Sequence, residues 1–224
     1  MASAWRGKIA LFRPHLGMGD GIISNALIRR VRSNWDKLLC FCKEDYMESF
    51  LSMFGDLDIQ LVPVKDDPHA DELVLHYQAR GIPYLPCGNY FNGDFNSMKW
   101  DREVYKQHEL DPKIRWKEFK LGSKPIQVKP PKGPYAFFHD DPERGFKIVS
   151  PNTKLPIVKP NHFEHPNIFS YVDLIKKAAE IHVIDSCFLC LTEFIGHTTN
   201  KLFWYKYARS WKPPEMKKKW RVLQ

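Results

Sequence analysis

Short apolar runs alternate with amphipathic ones along this chain, and that alternation limits the fold more than any other feature. Lys8 to Pro14 (KIALFRP) is a strand-like run that ends in a glycine-rich turn. Ile22 to Trp35 then places Ile23, Leu27 and Val31 on one helical face and leaves Arg29, Arg30 and Arg32 outside it. Lys37 to Cys42 (KLLCFC) reads as a buried strand, and Glu44 to Phe54 as an amphipathic helix closed by Gly55. Ile59 to Val64 supplies a third strand, Pro68 to Arg80 a third helix stopped by Gly81, and Pro83 to Pro86 a short fourth strand. Strands and helices at this spacing imply βαβ units and a parallel sheet.

The texture then changes. Gly88 to Ser97 is rich in Asn, Gly and Phe, Trp100 to His108 has helical character, and Gly122 to Pro134 (GSKPIQVKPPKGP) is dense in Pro and Lys, as a linker is. A second alternating set follows, with strands expected at Tyr135 to His139 and Phe146 to Ser150 and a helix at Ile168 to Glu180. Ile181 to Ile184 reads as a strand, Cys187 to Ile195 as a helix and Leu202 to Tyr207 as an aromatic strand. The tail from Lys212 to Arg221 is basic, broken by Pro and expected at the periphery. The sequence therefore predicts an α/β chain of two Rossmann-like parallel-sheet domains facing a cleft, residues 1–125 and 126–224.

Composition narrows the class of protein. At 43% apolar and 14% aromatic residues the chain can bury a sizeable core, which excludes disordered, collagenous and disulfide-stapled classes. Lys and Arg outnumber Asp and Glu by 34 to 26, and the resulting +8 points to an anionic partner. No run reaches the roughly 18 apolar residues of a membrane span; the nearest, Ile184 to Ile195, contains Asp185, Ser186 and Glu193. Met1 to Arg13 lacks a signal-peptide pattern, and Cys40, Cys42, Cys87, Cys187 and Cys190 are odd in number. Reduced thiols in a cytoplasmic protein are the expectation.

Three segments carry candidate chemistry. The first is His15 to Gly21 (HLGMGDG), between a strand and a helix. Gly17, Gly19 and Gly21 let the backbone turn and approach a ligand, and the helix start beyond them suits an anion. The loop is neither a P-loop nor a GxGxxG fingerprint. Asp20 within it has two readings, a general base for a hydroxyl nucleophile or a simple helix N-cap.

The second segment is Phe138 to Phe146 (FHDDPERGF). His139, Asp140 and Asp141 precede a Pro turn, and Arg144 has the fork that a diphosphate calls for. The same residues also make an ordinary solvated turn. The third is Ile181 to Gly196, where a strand delivers Asp185 and Ser186 to the sheet edge at which doubly wound folds bind nucleotides. Ser186 is placed to cap the next helix, and Glu193, seven residues on, shares its face.

Other features are weaker. Cys187-x-x-Cys190 is a single pair on an apolar helix, so core thiols are expected rather than a zinc or redox site. Asp56-Leu57-Asp58 resembles a metal-holding DxD but follows Gly55 at a helix end and reads as a turn. The nine histidines show no metal-binding spacing, so no metal is expected. Lys217 to Trp220 is a candidate for peripheral contact with lipid or nucleic acid, or a solvated terminus.

Taken in order, HLGMGDGI, WDREVYKQ with Arg115 soon after, FFHDDPERGFKI and FSYVDLIKKAAEIHVIDSCFLCLTEFIG resemble small GT-B-type glycosyltransferases. The chain is similar to heptosyltransferase (family 9) enzymes and more distantly to nodulation-type α-1,6-fucosyltransferases, over most of residues 8–209. The resemblance implies an N-terminal domain for a carbohydrate or glycan acceptor and a C-terminal domain for a nucleotide-diphosphate sugar, with no cofactor or metal. Asp20 would be the base, and Arg144, aided by Lys147 or Lys154, would meet the diphosphate. Gly17, Gly19, Gly21, His139, Asp185, Ser186 and Glu193 would line the substrates. At 224 residues both halves must be trimmed relative to the usual enzyme.

Two other classes compete with this expectation. A nucleic-acid-binding protein would use the +8, but the basic residues are dispersed and no RNP, helix-turn-helix or zinc pattern occurs, so nucleic acid is not the expected partner. A catalytically silent scaffold of the same fold would bind nucleotide or glycan without turnover. A Rossmann dehydrogenase lacks its fingerprint glycines here.

Overall fold

The computed structural model describes residues 9–87, 100–209 and 214–224. The Asn-, Gly- and Phe-rich stretch 88–97 lies outside them, as do Lys8 and Lys212. The chain divides into two compact units, Met1–Lys124 and Pro125–Gln224. Both are α/β, each built on an all-parallel sheet. Among the described residues no helix is long and apolar enough to cross a membrane.

In the first unit, β1 (Ile9–Arg13), β2 (Lys37–Lys43), β3 (Ile59–Val64) and β4 (Tyr84–Pro86) form a sheet in the order β3-β2-β1-β4. The unbroken apolar runs of β1 and β2 are buried almost end to end, as strands covered on both faces must be. Leu11, Leu39, Phe41, Val62 and Val64 pack with Ala70 and Val74 of α4 (Asp67–Ala79). That helix starts where its sequence says it should. Asp66 accepts the His69 N–H at 2.9 Å, and Pro68 sits in the first turn, where no N–H is needed.

The long helix expected from Ile22 to Trp35 is two helices, α1 (Met18–Ile23) and α2 (Asn25–Arg32), parted at the buried Ser24. One intervening residue barely disturbs the apolar period, so the pattern cannot reveal the break. The arginines left outside the face of α2 are engaged: Arg29 with Asp56, Arg30 with Glu118, and Arg32 with Asp58. α3 (Met47–Phe54) follows a 3-10 turn, and α5 (Trp100–Lys106) and α6 (Ile114–Glu118) close the unit. α5 and α6 are joined by a fully buried ion pair, Asp101–Arg115.

In the second unit, β5 (Ala136–His139), β6 (Ile157–Val158), β7 (Glu180–Val183), β8 (Leu202–Tyr205) and β9 (Arg221–Leu223) run in the order β6-β5-β7-β8-β9. α7 (Val172–Lys177) precedes β7, and α8 (Cys187–Phe194) lies between β7 and β8. Phe137 and Phe188 meet on one sheet face, with ring centres 5.4 Å apart. Phe138, Ile148, Ile184 and Tyr205 form the core on the other.

Two expectations for this unit are corrected. Phe146 to Ser150 is not a strand; Phe146 only bridges back to Asp141, and the sheet's edge is made by Ile157–Val158 instead. The helix expected over Ile168 to Glu180 is a 3-10 turn at Ile168–Tyr171 followed by α7, and Glu180 already belongs to β7. The basic tail lies at the sheet's outer edge as expected but is tied into it rather than broken off: its last residue, Arg221, opens the edge strand β9, paired with β8 from Phe203↔Arg221 to Tyr205↔Leu223.

Candidate functional site

In each sheet the first strand in sequence lies inside, with its successors on both sides. The winding therefore reverses between β1 and β4 in the first unit and between β5 and β7 in the second. Crevices outside the carboxyl ends of such strand pairs are where open α/β sheets bind ligands.

At the first reversal the chain leaves β1 at Arg13, whose buried guanidinium is held by Asp67 at 3.1 Å and by Asp71. It then passes through His15 to α1. The N-cap of α1 is Gly17, and Asp20 is its third residue, so Asp20 does not cap the helix. Its carboxylate folds back over Gly17, where any Cβ would collide with it. Gly21 faces Phe50 of α3, whose ring would lie 2.7 Å from an added Cβ. Both glycines thus serve close approach within the protein, while Gly19, in the first turn of α1, is half-buried.

Asp20 lies near the end of β4, where its charge adds to burial in pushing the Cys87 thiol up. His15 packs against Trp100 with ring centres 5.9 Å apart, and its buried Nε2 has no hydrogen-bond partner among the described residues. His108 completes the surroundings, with Nε2 3.0 Å from the Pro86 carbonyl.

The second reversal gathers more of the expected residues. His139 ends β5, and Asp185 and Ser186 follow β7, so all three stand at one edge. Ser186 precedes α8 with extended backbone, but its side chain makes no cap bond. Its hydroxyl lies 3.1 Å from His139 Nδ1 instead, which corrects the capping role expected for it. The His139 ring is 4.5 Å from Phe188 and 6.2 Å from His162. Burial, with the nearby His162, pushes the His139 imidazole down to about 3, against the pull of Asp141 and Asp140, so it is neutral at pH 7.

Arg144 is exposed and engaged within its own turn. Asp141 accepts its Nε at 2.5 Å and caps the 3-10 turn Pro142–Arg144, after which Gly145 is left-handed at φ 84°. The Arg144 guanidinium also lies 5.7 Å from the centre of the Phe146 ring. Arg209, which the sequence did not single out, approaches the same ring at 5.2 Å and donates to the Asp185 carbonyl at 3.1 Å. Both arginines act on the Cys187 thiol at the first turn of α8. Burial pushes that thiol up to about 12, while the N–H groups of Cys187 and Phe188 and the two guanidinium charges pull the other way. Two cations and the start of an eight-residue helix therefore meet at one point.

The remaining expected residues are not part of this cluster. Lys147 is exposed on the turn beyond Phe146. Lys154 precedes β6 and so stands toward the amino ends of the strands, at the opposite edge. Glu193 shares a face with Ser186, but seven residues carry it about 10 Å along the helix axis. There its buried carboxylate accepts the Lys217 N–H at 2.9 Å, the Lys218 N–H at 3.3 Å and the Trp220 indole at 2.5 Å. The expected substrate contact is a contact with the tail.

The acidic pair is also accounted for within the protein. Asp56 is gripped by Arg29 at 2.8 Å and Lys120 at 2.7 Å, which hold its carboxyl down to about 2. Asp58 is 3.7 Å from Arg32. Among the described residues no three His, Cys, Asp or Glu side chains gather as a metal would require.

The sequence signal that could have found Arg209 is its place just after the last apolar strand of the LFWYKYAR run, at the same carboxyl edge as His139 and Ser186. His162 follows β6 at that edge for the same reason. No family model, characterised protein or solved structure matches this chain.

Proposed function

We propose that this chain is a GT-B-type glycosyltransferase that moves a sugar from a nucleotide-diphosphate sugar to an acceptor hydroxyl without a metal ion. The observation that carries the reading is the gathering of His139, Ser186, Arg144 and Arg209 around the start of α8. A diphosphate there would meet two guanidinium charges and the N–H groups of the first turn of α8, the donors that stabilise charge as it develops on a leaving phosphate. The neutral His139 ring adds a hydrogen bond rather than a charge.

In the transfer step the acceptor oxygen bonds to the anomeric carbon as the bond from that carbon to the diphosphate breaks. Asp20 takes the acceptor's proton, and the nucleoside diphosphate departs with the bonding pair. In this reading the first unit, with Asp20, holds the acceptor and the second unit holds the donor.

The test is a thermal-shift panel of UDP, GDP, ADP, CMP and their sugar conjugates, with EDTA and with Mg²⁺ or Mn²⁺, followed by turnover assays on each hit. At about 100 times its dissociation constant a ligand stabilises the fold by about 2.7 kcal/mol. One nucleoside diphosphate standing out in EDTA, with turnover abolished by Asp20→Asn, is the expected result. Binding without turnover would make the chain a silent scaffold. A shift that requires the metal, or none with any nucleotide, would overturn the proposal.

A further inference from the structure

The C-terminal segment touches α8 at both ends. Arg209 donates to the Asp185 carbonyl just before the helix. At the far end the Lys217 and Lys218 N–H groups and the Trp220 indole converge on Glu193. The Lys218 ammonium caps the end of the helix by donating to the Thr192 and Ile195 carbonyls. Beyond Trp220 the chain enters β9, which pairs with β8, and β8 leads through the 3-10 turn Lys206–Ala208 directly to Arg209. The two anchors are therefore joined through the sheet.

Glu193 is the hub of the far anchor. The residue is only 6% exposed, and its carboxylate accepts from three N–H donors, two of them main-chain. A buried carboxylate is tolerable where such donors replace its water. The converse holds as well: without that acceptor the Lys217 and Lys218 amides and the indole lose theirs together.

We infer that Glu193 is a positioning residue, whose carboxylate pins the C-terminal segment and so holds Arg209 at the start of α8 in the geometry that grips a diphosphate. The inference rests on the reading of that edge as a diphosphate site. It places the role of Glu193 at a distance from the ligand, through Arg209.

Glu193→Gln tests it, because the new amide group would point an N–H into a ring of donors. Two readouts are taken on the intact chain. Hydrogen exchange at the Lys217 and Lys218 amides reports whether the segment is released. The affinity for inorganic pyrophosphate, with ADP, GDP and UDP alongside, reports the site. The expected result is faster exchange at both amides and affinity about tenfold weaker, the scale of one lost charged hydrogen bond. Arg209→Ala should weaken binding by a similar factor, and the double variant should be no weaker than Arg209→Ala alone, since coupled residues do not add. Trp220→Phe removes one of the donors and keeps the bulk, so it should shift both readouts the same way to a smaller degree, even if Glu193→Gln does not fold.

Released amides with affinity within twofold of wild type would overturn the inference. So would a Glu193→Gln penalty that adds in full to that of Arg209→Ala, or amides that stay protected in both Glu193→Gln and Trp220→Phe. Failure of the wild-type protein to bind pyrophosphate or any of the nucleoside diphosphates would instead refute the diphosphate site itself, and the positioning role with it.

Discussion

The hydroxyl of Ser186 lies 3.1 Å from Nδ1 of His139, turned away from the helix that Ser186 precedes. A residue type that ordinarily satisfies a helix N–H has been diverted to orient a ring at the carboxyl edge of the sheet. Replacing a working cap by Ala costs about 1 kcal/mol. Ser186→Ala should therefore lower stability by less than about half that amount, while weakening nucleoside diphosphate binding a few-fold. Thermal unfolding and titration calorimetry on the same sample separate the two. A cap-sized loss of stability with unchanged affinity would show that the hydroxyl serves the helix after all.

Acid should weaken the second unit well above the range in which carboxylates titrate. Burial holds His139 down to about 3 and lowers His162 and His182 as well. The unfolded chain takes up these protons near pH 6.5, whereas the folded one resists, so stability falls as pH drops from about 6.5 toward 3. Each unit of depression corresponds to about 1.4 kcal/mol. Asp56, held to about 2, adds to this loss only at the acid end, below about pH 5, where the unfolded chain protonates it and the folded chain does not. The melting temperature should fall by several degrees between about pH 7 and pH 5; a flat profile would mean that these rings are solvated.

The buried pair Asp101–Arg115 should behave as a unit. Both side chains are 1% exposed, and Arg115 also stacks against Trp116 at 4.8 Å. Asp101→Asn leaves a guanidinium buried without its counter-charge and should cost about 3–5 kcal/mol. Replacing both partners by apolar residues of similar volume should cost much less. Denaturant titration of the single and double variants checks this, and equal losses would show that the charge itself is not the issue.

Gly17 and Gly21 should fail in different ways. Gly21→Ala drives a methyl to within 2.7 Å of the Phe50 ring and should cost about 1–3 kcal/mol as overpacking. Gly17→Ala displaces the Asp20 carboxylate that folds back over it. Its expected signature is loss of turnover with little loss of stability. Melting curves and initial rates measured on both variants distinguish the two outcomes.

Much of the architecture was legible because strands buried on both faces must be apolar throughout. KIALFRP and KLLCFC announce β1 and β2 in that way, while IQLVPV is the sheet's edge strand and buries only Val62 and Val64 fully. The start of α4 was legible to within one residue, since Pro68 favours the first turn of a helix, where no N–H is needed. The break at Ser24 was not, because periodicity passes over a single interrupted hydrogen-bond turn. Phe146 to Ser150 has the composition of a strand, but composition does not supply a neighbour to pair with. Ile157–Val158 and Arg221–Leu223 do find neighbours, and they are strands despite being two and three residues long.

The candidate site divides along the same line. The sequence by itself determined that His139, Asp185 and Ser186 leave parallel strands at their carboxyl ends, because strand direction follows from the βαβ order. Only the tertiary structure decided that Ser186 faces His139, that Arg209 joins Arg144 beside Phe146, and that Glu193 serves the tail. Local pattern records which face of an element a side chain occupies. Which distant segment arrives to meet that face depends on packing of the whole unit, and no short window of sequence contains it.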